Sequence, residues 1–292
     1  MTLHATPATP TPLPGMYADP NLIVFGHRYF LYPTTDGTVD WGSTSFSVLS
    51  SPDLVQWKDH GKILSLGKDV GWTDVHAWAP TIAERDGRYY FYFTADNSIG
   101  VAVGDSPIGP FRDLGRPLIK RDEYPGSMID PAVFSDDGRY YLYWGNTWLH
   151  CVELGPDMTT VNSGAITSWQ PTGFREAGWV HRRGDIYYLS WSENDTRDPD
   201  YRLRYATGAS PLGPWTDRGV LLEQDPARGI LSTGHHSIAQ VPGTDEWIIA
   251  YHRFRIPGGN GFRRETIFER LEHDPDGGLR VIHSTEPLRR PL

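Results

Sequence analysis

Ser127 to Trp144 reads Ser-Met-Ile-Asp-Pro-Ala-Val-Phe-Ser-Asp-Asp-Gly-Arg-Tyr-Tyr-Leu-Tyr-Trp. An acid, Asp130, opens an apolar run, an Asp-Gly pair turns the chain, and an alternating aromatic-rich run leads back, which is the pattern of a β-hairpin. The unit recurs. Asp19-Pro20 leads through Gly26-His27 into Arg28–Pro33, Trp78-Ala79-Pro80 through Asp86-Gly87 into Arg88–Phe93, Glu176-Ala177-Gly178 through Arg183-Gly184 into Asp185–Trp191, and His235-His236 through Pro242-Gly243 into Glu246–Tyr251.

The five openers, Asp19, Trp78, Asp130, Glu176 and His235, are spaced by 59, 52, 46 and 59 residues. Repeats of this length signify propeller blades or solenoid coils. A third β-like run follows each hairpin, for example Ser45–Leu49 and Tyr201–Tyr205, and a fourth follows a Pro/Gly/Asp turn in most copies, as in Ser51–Trp57, Gly109–Phe111 and Gly213–Trp215. Four strands in each of five units predict an all-β fold, a single-domain five-bladed β-propeller over residues 16–292, preceded by a flexible N-terminal arm over residues 1–15. The C-terminal run Leu279–His283 is expected to add an outer strand to the fifth blade and to help close the ring.

Composition narrows the partners. With 31 Gly, 24 Pro, 13% aromatic residues and no long apolar run at helical spacing, the chain reads as all-β. A net charge of −9 with interspersed signs argues against nucleic acid or an anionic membrane surface, both of which require a basic patch. A neutral ligand fits better. The single cysteine, Cys151, excludes an internal disulfide and lies in a predicted strand as a buried thiol. Met1–Pro14 lacks the basic start and apolar core of a secretory signal, so a soluble, cytoplasmic protein is expected if Met1 is the native start, and a secreted one if a signal peptide was removed.

The innermost strand of each blade lines the central channel, so the five openers are expected at one mouth. Three acids, an imidazole and an indole would then share a pocket. Converging carboxylates repel unless one is protonated or a cation joins them, and oxygen-rich ligation suits Ca²⁺. Alternatively, carboxylates in different environments can divide the roles of acid and base. Glycoside hydrolysis requires that division, and Trp or Tyr planes would pack against sugar rings. Trp41, Trp72, Trp78, Trp144, Trp148 and Trp179 are candidate planes, with Trp78 the best placed and Trp144 beside it as a binding residue.

Asp19-Pro20, Trp78-Ala79-Pro80, Asp130-Pro131, Glu176-Ala177-Gly178 and Gly234-His235-His236-Ser237 resemble, in order and spacing, glycoside hydrolase family 43. The resemblance implies a five-bladed propeller and hydrolysis with inversion. It implies Asp19 as general base, Glu176 as general acid, Asp130 as the carboxylate that tunes the acid, and His235 as a channel residue that orients waters or contacts Ca²⁺ or Na⁺ through them, although no cofactor is required. Many relatives carry Glu-Gly-Pro where this chain has Glu176-Ala177-Gly178; Glu193 and Asp195, the competing acids, are set aside as lying at the far end of the following strand.

Asp36 and Arg264 are further expected to bond sugar hydroxyls, and His252 and Arg253 to line the channel. The resemblance favours release of L-arabinofuranose, as by an α-L-arabinofuranosidase, and a small single domain fits exo action on a short neutral oligosaccharide. Alternatives are β-D-xylosidase or endo-arabinanase on the same fold, or, from other classes, a non-catalytic sugar-binding propeller or an interaction scaffold. The loops Arg116–Gly126 and Leu221–Gly234 are expected to close one end of the pocket.

Overall fold

The computed structural model describes residues 11–283. Blade one comprises β1 (Tyr17–Phe25), β2 (Arg28–Thr35), β3 (Ser45–Ser51) and β4 (Lys58–Ser65); blade two, β5 (Trp78–Arg85), β6 (Arg88–Ala95), β7 (Ser98–Gly104) and β8 (Arg112–Asp113). Blade three comprises β9 (Ala132–Asp136), β10 (Arg139–Trp144), β11 (Leu149–Glu153) and β12 (Thr167–Trp169); blade four, β13 (Glu176–Arg183), β14 (Ile186–Glu193), β15 (Arg202–Gly208) and β16 (Thr216–Glu223). Blade five holds β17 (Gly234–Gln240), β18 (Trp247–Phe254) and β19 (Arg264–Leu271), and the chain continues to β20 (Ile282–His283). Each blade is an antiparallel meander, and the first strands β1, β5, β9, β13 and β17 neighbour one another in a closed ring. The protein is a five-bladed β-propeller.

Apolar faces of adjacent blades meet in five clusters, one per joint. Phe46, Phe91 and Phe93 fill the joint of blades one and two, and Leu22, Leu49, Ile248 and Phe268 fill that of blades five and one. No blade can bury both its faces alone, so the ring is the stable unit. Ring closure rests on β1 packing against blade five, with the Thr266 hydroxyl donating to the Tyr17 carbonyl at 2.9 Å. Leu13, within the stretch expected to be a flexible arm, is buried in that joint; residues 1–10 of the arm lie outside the described residues.

Two strand expectations need correction. The fourth strands of blades one, two and four lie after the expected runs and not on them: Ser51–Trp57, Gly109–Phe111 and Gly213–Trp215 are mostly bends and irregular backbone that lead into β4, β8 and β16. Outer strands face water on much of both surfaces, so Lys58–Ser65 and Thr216–Glu223 carry too many polar residues to show an apolar pattern. The C-terminal run also differs. β20 pairs in parallel with β16 of blade four, and Leu279 and Ile282 wedge into the joint between blades four and five.

Candidate active site

Five left-handed residues organise the channel mouth: Asp19 (φ 49°), Ala79 (φ 40°), Asp130 (φ 59°), Ala177 (φ 58°) and His235 (φ 44°). In β1, β5, β13 and β17 the left-handed residue sits at a break in the pairing register, where a bulge turns the side chains. This corrects the alignment of the repeats. Asp19, Asp130 and His235 are equivalent to Ala79 and Ala177, whereas Trp78 and Glu176 stand one position earlier. A left-handed non-glycine backbone costs about 1–3 kcal/mol and is held by its surroundings at functional sites.

Asp19, Trp78, Asp130, Glu176, His235 and Arg264 line one cavity of about 180 Å³, together with Trp41, Asn146, Arg175, Asp195, Thr196 and Arg197. The base candidate Asp19 is 7% exposed, and its Oδ1 lies 3.1 Å from Arg264 Nη1 and 3.2 Å from His235 Nδ1. Burial alone would raise its pKa, but the charge on Arg264, with contributions from His235 and His252, holds it well below the usual carboxylate range. Burial lowers both histidines, His252 to about 4, so at neutral pH Arg264 carries the electrostatic part.

The other two acids behave oppositely. Burial raises Asp130 well above its ordinary value, and the nearby Glu176 and Asp19 carboxylates push it further. Burial also raises Glu176, although Tyr201 and Arg175 favour its charged form. Tyr201 Oη donates to Glu176 Oε1 at 2.9 Å and Asn146 Nδ2 donates to Oε2 at 2.8 Å, which fixes the carboxyl plane. Two buried acids this close cannot both ionise, so the pair retains a proton where Asp19 has lost its own.

Several assignments change. Trp144 is not a binding residue: it is fully buried, its Nε1 donates to Met128 Sδ at 3.4 Å, and its ring stacks on His150. Strand alternation turns it into the joint of blades two and three. Trp144→Phe is therefore expected to lower the melting temperature while leaving KM unchanged, whereas Trp78→Ala raises KM about tenfold, a loss of ~1.4 kcal/mol; steady-state kinetics with thermal melts check both. Asp36 does not line the cavity either. Its Oδ2 accepts from Arg264 N at 2.7 Å and Nε at 3.0 Å, so it acts by holding Arg264.

Asp195 is not remote, because the chain after β14 folds back over the mouth. Two arginines, Arg175 and Arg197, hold it at about 2, with the Arg197 hydrogen bond the largest cause, so it is an ionised anchor and no proton donor. Arg253 lies outside the cavity, fully buried against Glu265. No residue of the two loops expected to close the pocket lines it. Walls are added instead by Trp41, on the turn Val39–Trp41, and by residues 195–197, and Trp41 is braced by donating Nε1–H to the Gly261 carbonyl at 2.8 Å and accepting from Trp78 Nε1 at 2.7 Å. Trp41 is among the aromatic planes that the sequence offers, whereas Asn146, Arg175 and Thr196 carry no local sequence signal.

The residues fit a cation in part. One ligand atom each from Asp130, Glu176 and His235 lies within 4.8 Å of the others, and Asp130 Oδ2 is buried without a hydrogen-bond partner. Ca²⁺ takes six to eight oxygens, so water would supply most of its shell there.

The family model for glycosyl hydrolases family 43 matches residues 10–279. The chain is 35% identical to the β-D-galactofuranosidase xynD of Aspergillus niger over 93% of this chain and 84% of that protein. It is 31% identical to an arabinoxylan arabinofuranohydrolase of Bacillus subtilis over 91% of this chain and 62% of that protein. It superposes, with a TM-score of 0.79 and 30% identity over 95% of this chain and 97% of the other, on CoXyl43, a β-xylosidase/α-arabinofuranosidase from a compost metagenome solved with xylotriose in a calcium-free form. With the repeats, the ring of blades and the acids at its mouth, this match places the chain in glycosyl hydrolase family 43, as a glycosidase.

Proposed function

We propose that the chain is an inverting, exo-acting α-L-arabinofuranosidase that releases L-arabinofuranose from arabinan or arabinoxylan oligosaccharides. The observation that carries the reading is the pairing, in one cavity, of a carboxylate held ionised by Arg264 with a buried carboxyl pair that retains a proton. Asp19 takes a proton from water as that water attacks the anomeric carbon. Glu176 gives its proton to the departing glycosidic oxygen, and Asp130 keeps the proton on the pair until then. At about 180 Å³ the cavity is smaller than the ~300 Å³ of a drug-sized site and suits one sugar residue at a chain end.

Asp130, Glu176 and His235 would hold any cation that binds, and it would supply positive charge to the acids. A proton on the pair relieves the same repulsion, so the reading requires no ion.

Two relatives named for arabinofuranose support the sugar. A second reading follows from the relative named for β-D-galactofuranose. That sugar shares the ring configuration of α-L-arabinofuranose and carries one further hydroxymethyl group, a difference of the size that pocket shape decides. A panel of p-nitrophenyl α-L-arabinofuranoside, β-D-xyloside and β-D-galactofuranoside, with arabino- and xylo-oligosaccharides and NMR of the first-formed anomer, tests the proposal. Faster release from either competitor replaces the sugar; a retained anomer sinks the mechanism.

The pH dependence follows from the same shifts. kcat/KM should fall in acid only as pH drops through the depressed pKa of Asp19. It should fall on the alkaline side as pH rises through the raised value at which the Asp130–Glu176 pair loses its last proton. A pH–rate profile with no alkaline fall would contradict the assignment of the acid.

A further inference from the structure

The channel mouth is stitched by a repeating hydrogen bond. The backbone N–H of Ala79 donates to Thr34 Oγ1 at 2.7 Å, that of Asp130 to Thr94 Oγ1 at 2.9 Å, that of His235 to Ser192 Oγ at 2.9 Å, and that of Asp19 to His252 Nδ1 at 3.2 Å. Every donor is one of the left-handed residues. Every acceptor lies on the second strand of the preceding blade, and all four are at most 1% exposed.

The register of the acceptors is strict. Within its own blade each pairs with the residue just before the left-handed one: Thr34 with Ala18, Thr94 with Trp78, Ser192 with Glu176, and His252 with Gly234. His252 Nδ1 lies 3.2 Å from the Asp19 N and 3.1 Å from Asp19 Oδ1, and Nε2 lies 3.1 Å from Thr196 Oγ1, so the neutral ring that burial favours accepts from the Asp19 N–H in one tautomer and donates to the Asp19 carboxylate in the other.

The fifth joint departs from the rule. Gly145, whose N–H donates to the Ile129 carbonyl at 2.8 Å, holds the equivalent place in blade three and has no side chain to offer. None would fit, because a Cβ there would lie 2.1 Å from the Trp148 carbonyl oxygen. At this joint the backbone N–H of Ala177 instead favours the charged form of the Asp130 carboxyl, a side chain of the site.

We propose that Thr34, Thr94, Ser192 and His252 are positioning residues of the glycosidase reaction, each fixing the left-handed residue of the next blade so that Asp19, Trp78, Asp130 and His235 face the cavity together. The proposal rests on the catalytic reading above. A buried hydroxyl facing an N–H of the left-handed residue sets the direction in which the adjoining side chain leaves the backbone. An error of about 1 Å at a reacting group can cost on the order of a hundredfold in rate.

The test compares Thr94→Val with Thr94→Ser and Thr34→Val with Thr34→Ser, using the arabino- or xylo-oligosaccharide that the substrate panel shows to be cleaved, whose alkoxide leaving group needs the acid's proton, with melting temperatures measured in parallel. Thr94→Val should lower kcat about tenfold or more with KM within about twofold, since its partner is Asp130 of the acid pair. Thr34→Val should raise KM about tenfold and leave kcat within about twofold, since its partner adjoins Trp78. Both serine variants should recover to within about threefold of wild type, because they restore the acceptor and lose only a methyl group.

Equal kinetics in the Val and Ser variants, or losses that track melting temperature alone, would overturn the proposal. If Thr94→Val does not fold, Ser192→Ala against Ser192→Thr decides the matter, with the alanine variant expected to lose kcat and the threonine variant to keep it. Full activity in Glu176→Gln would sink the catalytic reading and this proposal with it. Loss there combined with wild-type kcat in folded Thr94→Val would sink the proposal alone.

Discussion

Glu176→Gln is expected to remove about 10²–10⁴-fold of kcat on an arabino-oligosaccharide, the usual contribution of a general acid, but far less on the p-nitrophenyl glycoside. The amide keeps the volume of the carboxyl and can still meet Asn146 and Tyr201, so the pocket survives while the transferable proton disappears. An alkoxide leaving group needs that proton in the transition state. A nitrophenolate hardly does. Asp19→Asn should behave differently, with losses of similar size on both substrates, because the attacking water must be deprotonated whichever group leaves. Glu176→Gln should also flatten the alkaline limb of the pH profile. The comparison of the two variants on the two substrates is the decisive measurement: equal losses in Glu176→Gln on both would remove Glu176 from the role of acid.

Arg264→Met should cost the fold about 3–5 kcal/mol, the usual consequence of removing one partner from a buried ion pair. Arg264 is 4% exposed and serves two acids at once, holding Asp36 through its backbone N, Nε and Nη2 and reaching Asp19 with Nη1. Its loss leaves two buried carboxylates without their cation. For a domain of this size the melting temperature should fall by on the order of 10 °C. Activity should fall as well, because Asp19 without Arg264 would feel burial uncompensated and its pKa would rise, moving the acid limb of kcat/KM upward.

The sign of the stability effect can be checked separately. A depressed carboxyl pKa contributes stability that is full above the unfolded value, about 3.9, and is lost as pH falls through the folded one. The wild-type advantage over Arg264→Met should therefore be largest near neutral pH and shrink in acid. Arg264→Lys should not restore it, since one ammonium cannot bond both acids as the planar guanidinium does. Wild-type melting in Arg264→Met would show that the buried network contributes nothing measurable.

Much of the molecule was legible in the chain because its information is local and repeated. Alternation, Asp-Gly turns and a period near 50 residues specify hairpins that cannot bury their faces singly, so the ring follows from the hydrophobic pattern. The openers of the repeats pointed to one mouth, and Asp19, Trp78, Asp130, Glu176, His235 and Arg264 do line one cavity. The one-residue offset at Trp78 and Glu176 is marked in the chain only by Pro20, Pro80 and Pro131, which follow Asp19, Ala79 and Asp130 in the true register.

The remainder depends on residues distant in sequence. The pairing of β20 with blade four, the return of Asp195 over the mouth, the capture of Asp36 by Arg264 across 228 residues and the burial of Trp144 are set by how five twisted sheets meet. Local pattern determines which face of a strand is apolar, but a carboxyl's charge depends on what stands within a few ångströms of it. Sequence alone therefore determined the ring and the acids around its axis; the tertiary structure decided which acid is ionised and which retains its proton, because only packing brings Arg264 to Asp19 and sets Asp130 beside Glu176.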